Sequence, residues 1–155
     1  MNKRPFTLIE ILITIGIILI LTGLLVGGVK MATAKASQAK TNAAMETLAD
    51  ALEQYRSLHG FYPPCTSTED VKIVEHNNHF SLKLGDKYFV FENSAGKPLL
   101  EFQATSTAKD FEDAWGNPLQ YKCPGSHNDS TYDLYSKGPK TADNDDDLTN
   151  WKRRN

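Results

Sequence analysis

Two rhythms of apolar and polar positions divide the chain. From Phe6 to Val29 the sequence FTLIEILITIGIILILTGLLVGGV is almost continuously apolar, and residues 11–29 form an uncharged run of 19. As a helix that run reaches about 28 Å at about 1.5 Å per residue. A bilayer's hydrocarbon core is about 30 Å thick, so the stretch reads as a membrane anchor. Lys3 and Arg4 precede it, Glu10 sits at its front edge, and Lys30 closes it. The rhythm then changes. Met45, Leu48, Leu52 and Tyr55 recur at spacings of three, four and three, with Glu46, Asp50, Glu53 and Arg56 opposite, which is the stripe of an amphipathic helix. Residues 32–44 between the two parts are rich in Ala and helical by propensity. The pattern predicts one helix of about 50 residues. Gly60 is its natural stop, and Phe61-Tyr62-Pro63-Pro64 prevents continuation.

After the helix the pattern shortens to strand-length runs. Val71, Ile73 and Val74 predict a short strand or helix. KYFVFE (87–92) is aromatic and β-branched, Asn93-Ser94-Ala95-Gly96 is a turn, and PLLEFQ (98–103) is its expected partner strand. Gly116-Asn117-Pro118 punctuates a turn leading into LQYKC, and TYDLYS (131–136) follows as another strand. The fold class is therefore α+β, a long N-terminal helix, its first half transmembrane, packed on a small antiparallel β-sheet. Trp115 is expected to plug that sheet.

The flanks of the anchor set its topology. Lys3 and Arg4 favour a cytoplasmic amino end, which leaves everything after Lys30 outside the inner membrane. Lys35 and Lys40 make the far flank basic too, but a five-residue head is easier to retain than a domain. Thr7 and Glu10 match a capping box at the helix start. An acid beside 19 apolar residues also calls for a partner, because charges at membrane depth are costly. An ordinary secretory signal is the competing reading, with Ala34-Lys35-Ala36 as its cleavage site and Ser37 as the new terminus. The apolar run is longer than the usual signal core, and Glu10 interrupts its start.

Charge and chemistry refine the picture. Only Lys3, Arg4 and Glu10 are charged before Lys30, so residues 30–155 hold 15 of the 17 Lys+Arg and 18 of the 19 Asp+Glu. This balance offers no basic surface for a phosphate backbone, and nucleic acid is not an expected partner. Cys65 and Cys123 lie beside turn-forming prolines, and outside the membrane such a pair usually bridges. Closure of that loop would stabilise by about 4 kcal/mol; two unpaired thiols are the alternative. His76 and His79 form an H-x-x-H that on a helix could hold a metal, but Asn77, Asn78 and nearby Gly85 favour a loop. Asp143, Asp145, Asp146 and Asp147 put four carboxylates in five residues. Their repulsion is relieved by a hard cation with oxygen ligands, and Ca²⁺ suits a flexible loop. Carbonyls around Ser136 and Gly138 would complete the shell. An EF-hand starting at Asp143 would need Gly at 148 and Glu at 154, where the chain has Leu148 and Arg154. A solvated acidic turn is the alternative. There is no phosphate loop, no nucleophile elbow and no His–Ser or His–Cys arrangement, so the chain is not expected to be an enzyme.

FTLIEILITIGIILIL resembles the amino-terminal signature of type IV pilins and type II secretion pseudopilins. HGFYPP resembles the end of the pseudopilin helix, and DAWGNPLQY and YDLYSKGP resemble the carboxy-terminal half of major pseudopilins. The resemblance covers both ends of the chain in the right order. It implies a pilin-like fold with residues 1–5 as a leader, 6–29 as the transmembrane and assembly part, 30–60 as its amphipathic continuation and 61–155 as an extracytoplasmic domain. It implies cleavage between Pro5 and Phe6 by a prepilin peptidase and N-methylation of Phe6. It makes Glu10 the assembly glutamate, whose carboxylate neutralises the amino terminus of a neighbouring copy. It implies assembly with copies of itself, other pseudopilins and inner-membrane secretion components into a periplasmic filament that supports protein export. It also implies calcium in the terminal loop, where Asp146 and Asp147 match the family's final acidic pair before Thr149-Asn150-Trp151. The family has Gly before the cleaved bond, Pro where this chain has Gly27, and an earlier loop Asp where it has Lys140. Asp143 could substitute for that Asp. A type IV pilus subunit, or a membrane-tethered domain that never polymerises, are the other readings.

Overall fold

The computed structural model describes residues 7–100, 109–142 and 145–151, with the backbone alone described at 24–28, 109 and 110. The elements in chain order are α1 (Leu8–His59), β1 (Glu69–Asp70), β2 (Lys72–His76), β3 (His79–Leu84), β4 (Lys87–Val90), β5 (Lys109–Asp110), β6 (Gln120–Lys122), β7 (Asp133–Ser136) and β8 (Leu148–Thr149). The chain divides into two compact units, Met1–Ala36 and Ser37–Asn155.

The first unit carries the amino-terminal part of α1. Its apolar side chains are open: Leu8, Leu12, Leu19 and Ile20 are 82, 66, 68 and 67% exposed. The threonines inside this run bond back to their own helix. Thr14 Oγ1 donates to the Ile11 carbonyl at 2.8 Å and Thr22 Oγ1 to that of Ile18 at 2.7 Å, so neither hydroxyl needs water. Among the described residues no helix is long and apolar enough to cross a membrane. Residues 24–28 of the apolar run are helical, but their side chains lie outside the described residues.

The second unit is built on the rest of α1. The stripe read from the sequence is its buried face: Met45, Leu48, Leu52 and Tyr55 are all at most 4% exposed. Fully burying such a side chain stabilises by about 1.5–3 kcal/mol. Thr41 extends the stripe by one turn and is also buried; its hydroxyl accepts the Ala114 N–H at 3.0 Å. The helix stops at Gly60, which takes φ +82° and donates its N–H to the Arg56 carbonyl at 2.7 Å.

Two four-stranded antiparallel sheets complete the unit, in orders β1-β6-β7-β8 and β4-β3-β2-β5. This corrects the expectation of one small sheet. Of the four strands read from the sequence, LQYKC and TYDLYS form β6 and β7, whereas KYFVFE forms β4 in the other sheet. Of Val71 to Val74, for which the sequence predicts a short strand or helix, residues 72–74 are the first three of β2. The expected PLLEFQ strand is reduced to a single Glu92↔Pro98 bridge, because Pro98 has no N–H to donate to a ladder; residues 101–103 lie outside the described residues. Trp115 does not plug the sheet. It is half-buried on a turn, and Leu119, Tyr121 and Leu134 fill the core instead, with Leu82 and Leu84 from the other sheet and Phe91 just after β4.

The H-x-x-H stretch is a hairpin. Asn77 and Asn78 take φ of 52° and 62°, the mirror-image turn that matches strand twist, and His76 faces His79 across it. The two rings are engaged separately. His76 stacks on Tyr88 at 4.0 Å, and His79 Nδ1 lies 3.0 Å from Glu92 Oε2. A repeat is also present. FENSAGKPL (91–99) and FEDAWGNPL (111–119) share five residues at a spacing of 20. Both fold into the same turn. Asn93 and Asp113 each donate their N–H at 2.8 Å to the carbonyl four residues on, and Leu99 and Leu119 donate to Phe91 and Phe111 at 2.9 and 2.8 Å.

Candidate functional site

Three places carry the residues singled out by sequence. At the amino end, Pro5 and Phe6 lie outside the described residues. Glu10 closes the capping box in full. Its Oε2 accepts the Thr7 N–H at 2.9 Å and the Thr7 hydroxyl at 2.8 Å, while the Glu10 N–H reaches Thr7 Oγ1 at 3.4 Å.

The second place is the carboxy-terminal loop, held by a buried acid that sequence reading missed. Asp113 Oδ1 accepts the N–H groups of Trp115 and Asn117, both at 2.8 Å, and Oδ2 accepts the Ser136 hydroxyl at 2.6 Å. Asn117 Nδ2 donates to the Gly138 carbonyl at 2.9 Å, and the Gly138 N–H donates to Ser136 Oγ at 3.0 Å. The hydroxyl of Ser136 is thus consumed inside the protein, which leaves its carbonyl as the atom of that residue for any ligand. Gly138 is required twice over. Its φ is +63°, and a Cβ there would stand 2.6 Å from the Asp146 carbonyl oxygen.

The loop does not gather its acids. Among the described residues no three His, Cys, Asp or Glu side chains form a group that could hold a metal, and Asp143 lies outside those residues. Asp145 is exposed and Asp147 half-buried. Asp146 is different. Its Oδ2 accepts the Lys140 N–H at 3.2 Å, while Oδ1 is buried with no hydrogen-bond partner. An unpaired buried acceptor costs about 1–3 kcal/mol. A cation beside that oxygen would relieve the cost, and calcium is one that takes carboxylate and carbonyl oxygens as ligands.

Beside this loop a second buried acid organises the β6–β7 connection. Asp133 accepts the N–H groups of Ser126, His127 and Asn128 at 2.6, 2.9 and 2.9 Å, and faces the His127 ring at 3.1 Å. Burial alone would push this carboxyl up, but the backbone donors and the ring outweigh it and hold it below the usual carboxylate range. The His127 ring stacks on Trp151 at 4.1 Å. Asn150 Oδ1 accepts the Leu134 N–H and its Nδ2 donates to the Tyr132 carbonyl, both at 3.0 Å, which fastens the chain end along β7. His127, Trp151, Asp147, Lys122 and Lys137 line a cavity of about 330 Å³. The sequence signals for these acids were present. D-x-x-G at Asp113 is turn chemistry, and Asp133 is a charge inside a strand-like run.

The third place is the cysteine pair. The fold brings the two residues together: the Cys65 N–H donates to the Cys123 carbonyl at 2.9 Å, and the Cys123 N–H reaches Cys65 Sγ at 3.2 Å. Both are buried free thiols in this structure, so the bridge read from the sequence is not formed here. Burial raises both thiols above their ordinary pKa.

A family model described as type II secretion system (T2SS), protein G, matches residues 92–151, which span both repeat turns and the acidic loop. The type II secretion system core protein G of Pseudomonas aeruginosa is 29% identical over 160 residues, covering 97% of this chain and 96% of that protein. The Escherichia coli K12 protein of the same name is 29% identical over 157 residues, covering 97% and 92%. That of Aeromonas hydrophila is 28% identical over 155 residues, covering 97% and 96%. No solved structure matches. The likeness of this chain to the major pseudopilins of type II secretion, first read at its two ends, thus runs along almost its whole length.

Proposed function

We propose that this chain is a structural subunit of a type II secretion pseudopilus, polymerising through its amino-terminal helix to support protein export. The observation that carries the reading is the pairing of a full-length likeness to core protein G with an open apolar helix. Side chains such as Leu8, Leu12, Leu19 and Ile20 have no partner surface of their own to cover them. Apolar area on this scale is stable in lipid or against other helices. Residues 6–29 serve as both membrane anchor and packing surface, with the amino end cytoplasmic and residues 61–155 periplasmic. The leader is removed between Pro5 and Phe6 by prepilin peptidase, and Phe6 is N-methylated. The freed amine is the partner that Glu10 meets on a neighbouring copy. Two charges that are each costly in an apolar bundle become tolerable as a pair. The other partners are further pseudopilins and inner-membrane secretion components. No bond of a substrate is broken; the work is mechanical.

Ca²⁺ belongs to the same proposal. Asp146, with Asp147 and Asp143 and the carbonyls near Ser136 and Gly138, would hold it. Its contribution is charge neutralisation and loop stiffening. The Asp146 Oδ1 left without a donor supports this.

One observation favours a plain membrane tether: Glu10 is already satisfied within its own helix by Thr7. The Glu10→Ala variant separates the readings. A pseudopilus subunit loses filaments while its thermal unfolding stays unchanged. Filaments at wild-type level would overturn the assembly role. N-terminal sequencing of the mature chain gives methyl-Phe6 if the leader is processed as proposed, and Met1 if it is not.

A further inference from the structure

We infer that Cys65 and Cys123 form a disulfide in the mature protein, and that it closes before the domain is fully packed. The inference rests on the proposed periplasmic placement for its oxidising surroundings, and on the fold for its geometry. The fold places the residues side by side, 58 positions apart in sequence. One backbone hydrogen bond joins them directly, and Cys65 Sγ already lies 3.2 Å from the backbone nitrogen of Cys123. Neighbours joined in this way fall within the Cα separations that a disulfide bridges without moving the backbone. Each thiol has only a weak bond to lose, Cys65 Sγ to the Tyr121 carbonyl at 3.8 Å and Cys123 Sγ to the Thr131 carbonyl at 3.5 Å.

The surroundings set the order of events. Cys65 and Cys123 are 8% and 9% exposed and belong to the core with Tyr62, Tyr121 and Tyr132. Cys65 borders an open cavity of about 300 Å³ beside Thr66, Glu69 and Lys87, but at these exposures the folded chain offers a bulky oxidant little of either sulfur, and buried thiols seldom ionise. The chemistry is exchange with a disulfide of the oxidising compartment, carried by a protein or a small molecule. The Cys65 sulfur attacks the donor disulfide, forms a mixed disulfide and releases one donor thiol, which takes the Cys65 proton. The Cys123 sulfur then attacks Cys65 Sγ and displaces the second donor thiol, which takes the Cys123 proton. The two protein sulfurs are oxidised and the donor disulfide is reduced. The result ties the exit of α1, at Tyr62-Pro63-Pro64, to the end of β6.

Two experiments test this. In the first, the full chain in detergent is unfolded, reduced, and refolded in a buffer of oxidised and reduced glutathione. The expected product has no titratable thiol, no glutathione adduct and a melting temperature higher than the reduced chain by about 10 °C. The folded, reduced chain in the same buffer should oxidise at least tenfold more slowly than the refolding one. Stable glutathione adducts or free thiols after refolding would overturn the bridge, and equal rates would overturn the order. This arm does not depend on where the protein resides in the cell. In the second, spheroplasts carrying the full chain are treated with protease, and a parallel sample is alkylated under denaturing conditions with and without reductant. Alkylation only after reduction, in protease-accessible chain, supports the bridge. Alkylation without reduction in accessible chain overturns it and leaves the periplasmic placement standing. Protection from protease overturns the placement, and with it the bridge in the cell.

Discussion

Asp146→Asn is the substitution that most directly tests the carboxy-terminal loop. Asp146 Oδ1 is buried without a donor, while Oδ2 is engaged by the Lys140 N–H at 3.2 Å. Without a cation the orphaned oxygen costs about 1–3 kcal/mol. With calcium at about 100 times its Kd, mass action stabilises the folded chain by about 2.7 kcal/mol. In a domain of this size that is a rise of roughly 10 °C in melting temperature. The assay is thermal unfolding of the full chain in detergent, with calcium or with chelator. Wild type should gain the full shift. Asp146→Asn should lose most of it, because a neutral amide is a poor ligand for a hard cation. In chelator the variant should match wild type or exceed it slightly, because a buried charge has been removed and the amide oxygen can still accept from Lys140. Equal melting of wild type in calcium and chelator would refute the reasoning. So would an Asp146→Asn variant that keeps the whole shift.

Two other expectations follow from the buried groups. Asp133 has a depressed folded pKa, so its contribution to stability is complete above the unfolded value of about 3.9 and is lost as pH falls through the folded value. Asp133→Asn should cost about 3 kcal/mol at neutral pH, since an amide replaces a charged acceptor of three N–H groups. The variant's urea midpoint should fall less than that of wild type between pH 5 and the acid limit, and parallel curves would count against it. Leu52→Ala, at a position with 0% exposure, should lose about 3 kcal/mol in the same urea titration. A loss under about 1 kcal/mol would mean that the stripe on α1 is not the core.

What could be read from the sequence differs from element to element. The stripe from Met45 to Tyr55 and the stop at Gly60 were legible because helix periodicity and a left-handed glycine are local rules. β1, β5 and β8 were not, because two-residue strands have no periodicity and exist only through distant partners such as Tyr121 for Glu69 and Tyr135 for Thr149. Strand assignment to two sheets was hidden for the same reason. The duplicated FE-x-x-x-G-x-PL turn was open to a search for repeats. The acidic run drew attention by its charge, yet the side chains that hold the loop are the isolated Asp113 and Asp133. A lone acid in a mixed run signals burial only once its donors are known.

Three of the four sheet edges are very short strands, and β4, with four residues, is the longer fourth. β1 and β8 close one sheet, and β5 closes one side of the other, each two residues long. Short borders leave few backbone groups open to zip onto a foreign strand. In the proposed filament, where many identical domains are crowded together, this matters. Outside β4, copies meet with little ladder to extend, so growth by sheet addition is disfavoured at those borders and fibre elongation is left to the greasy rods.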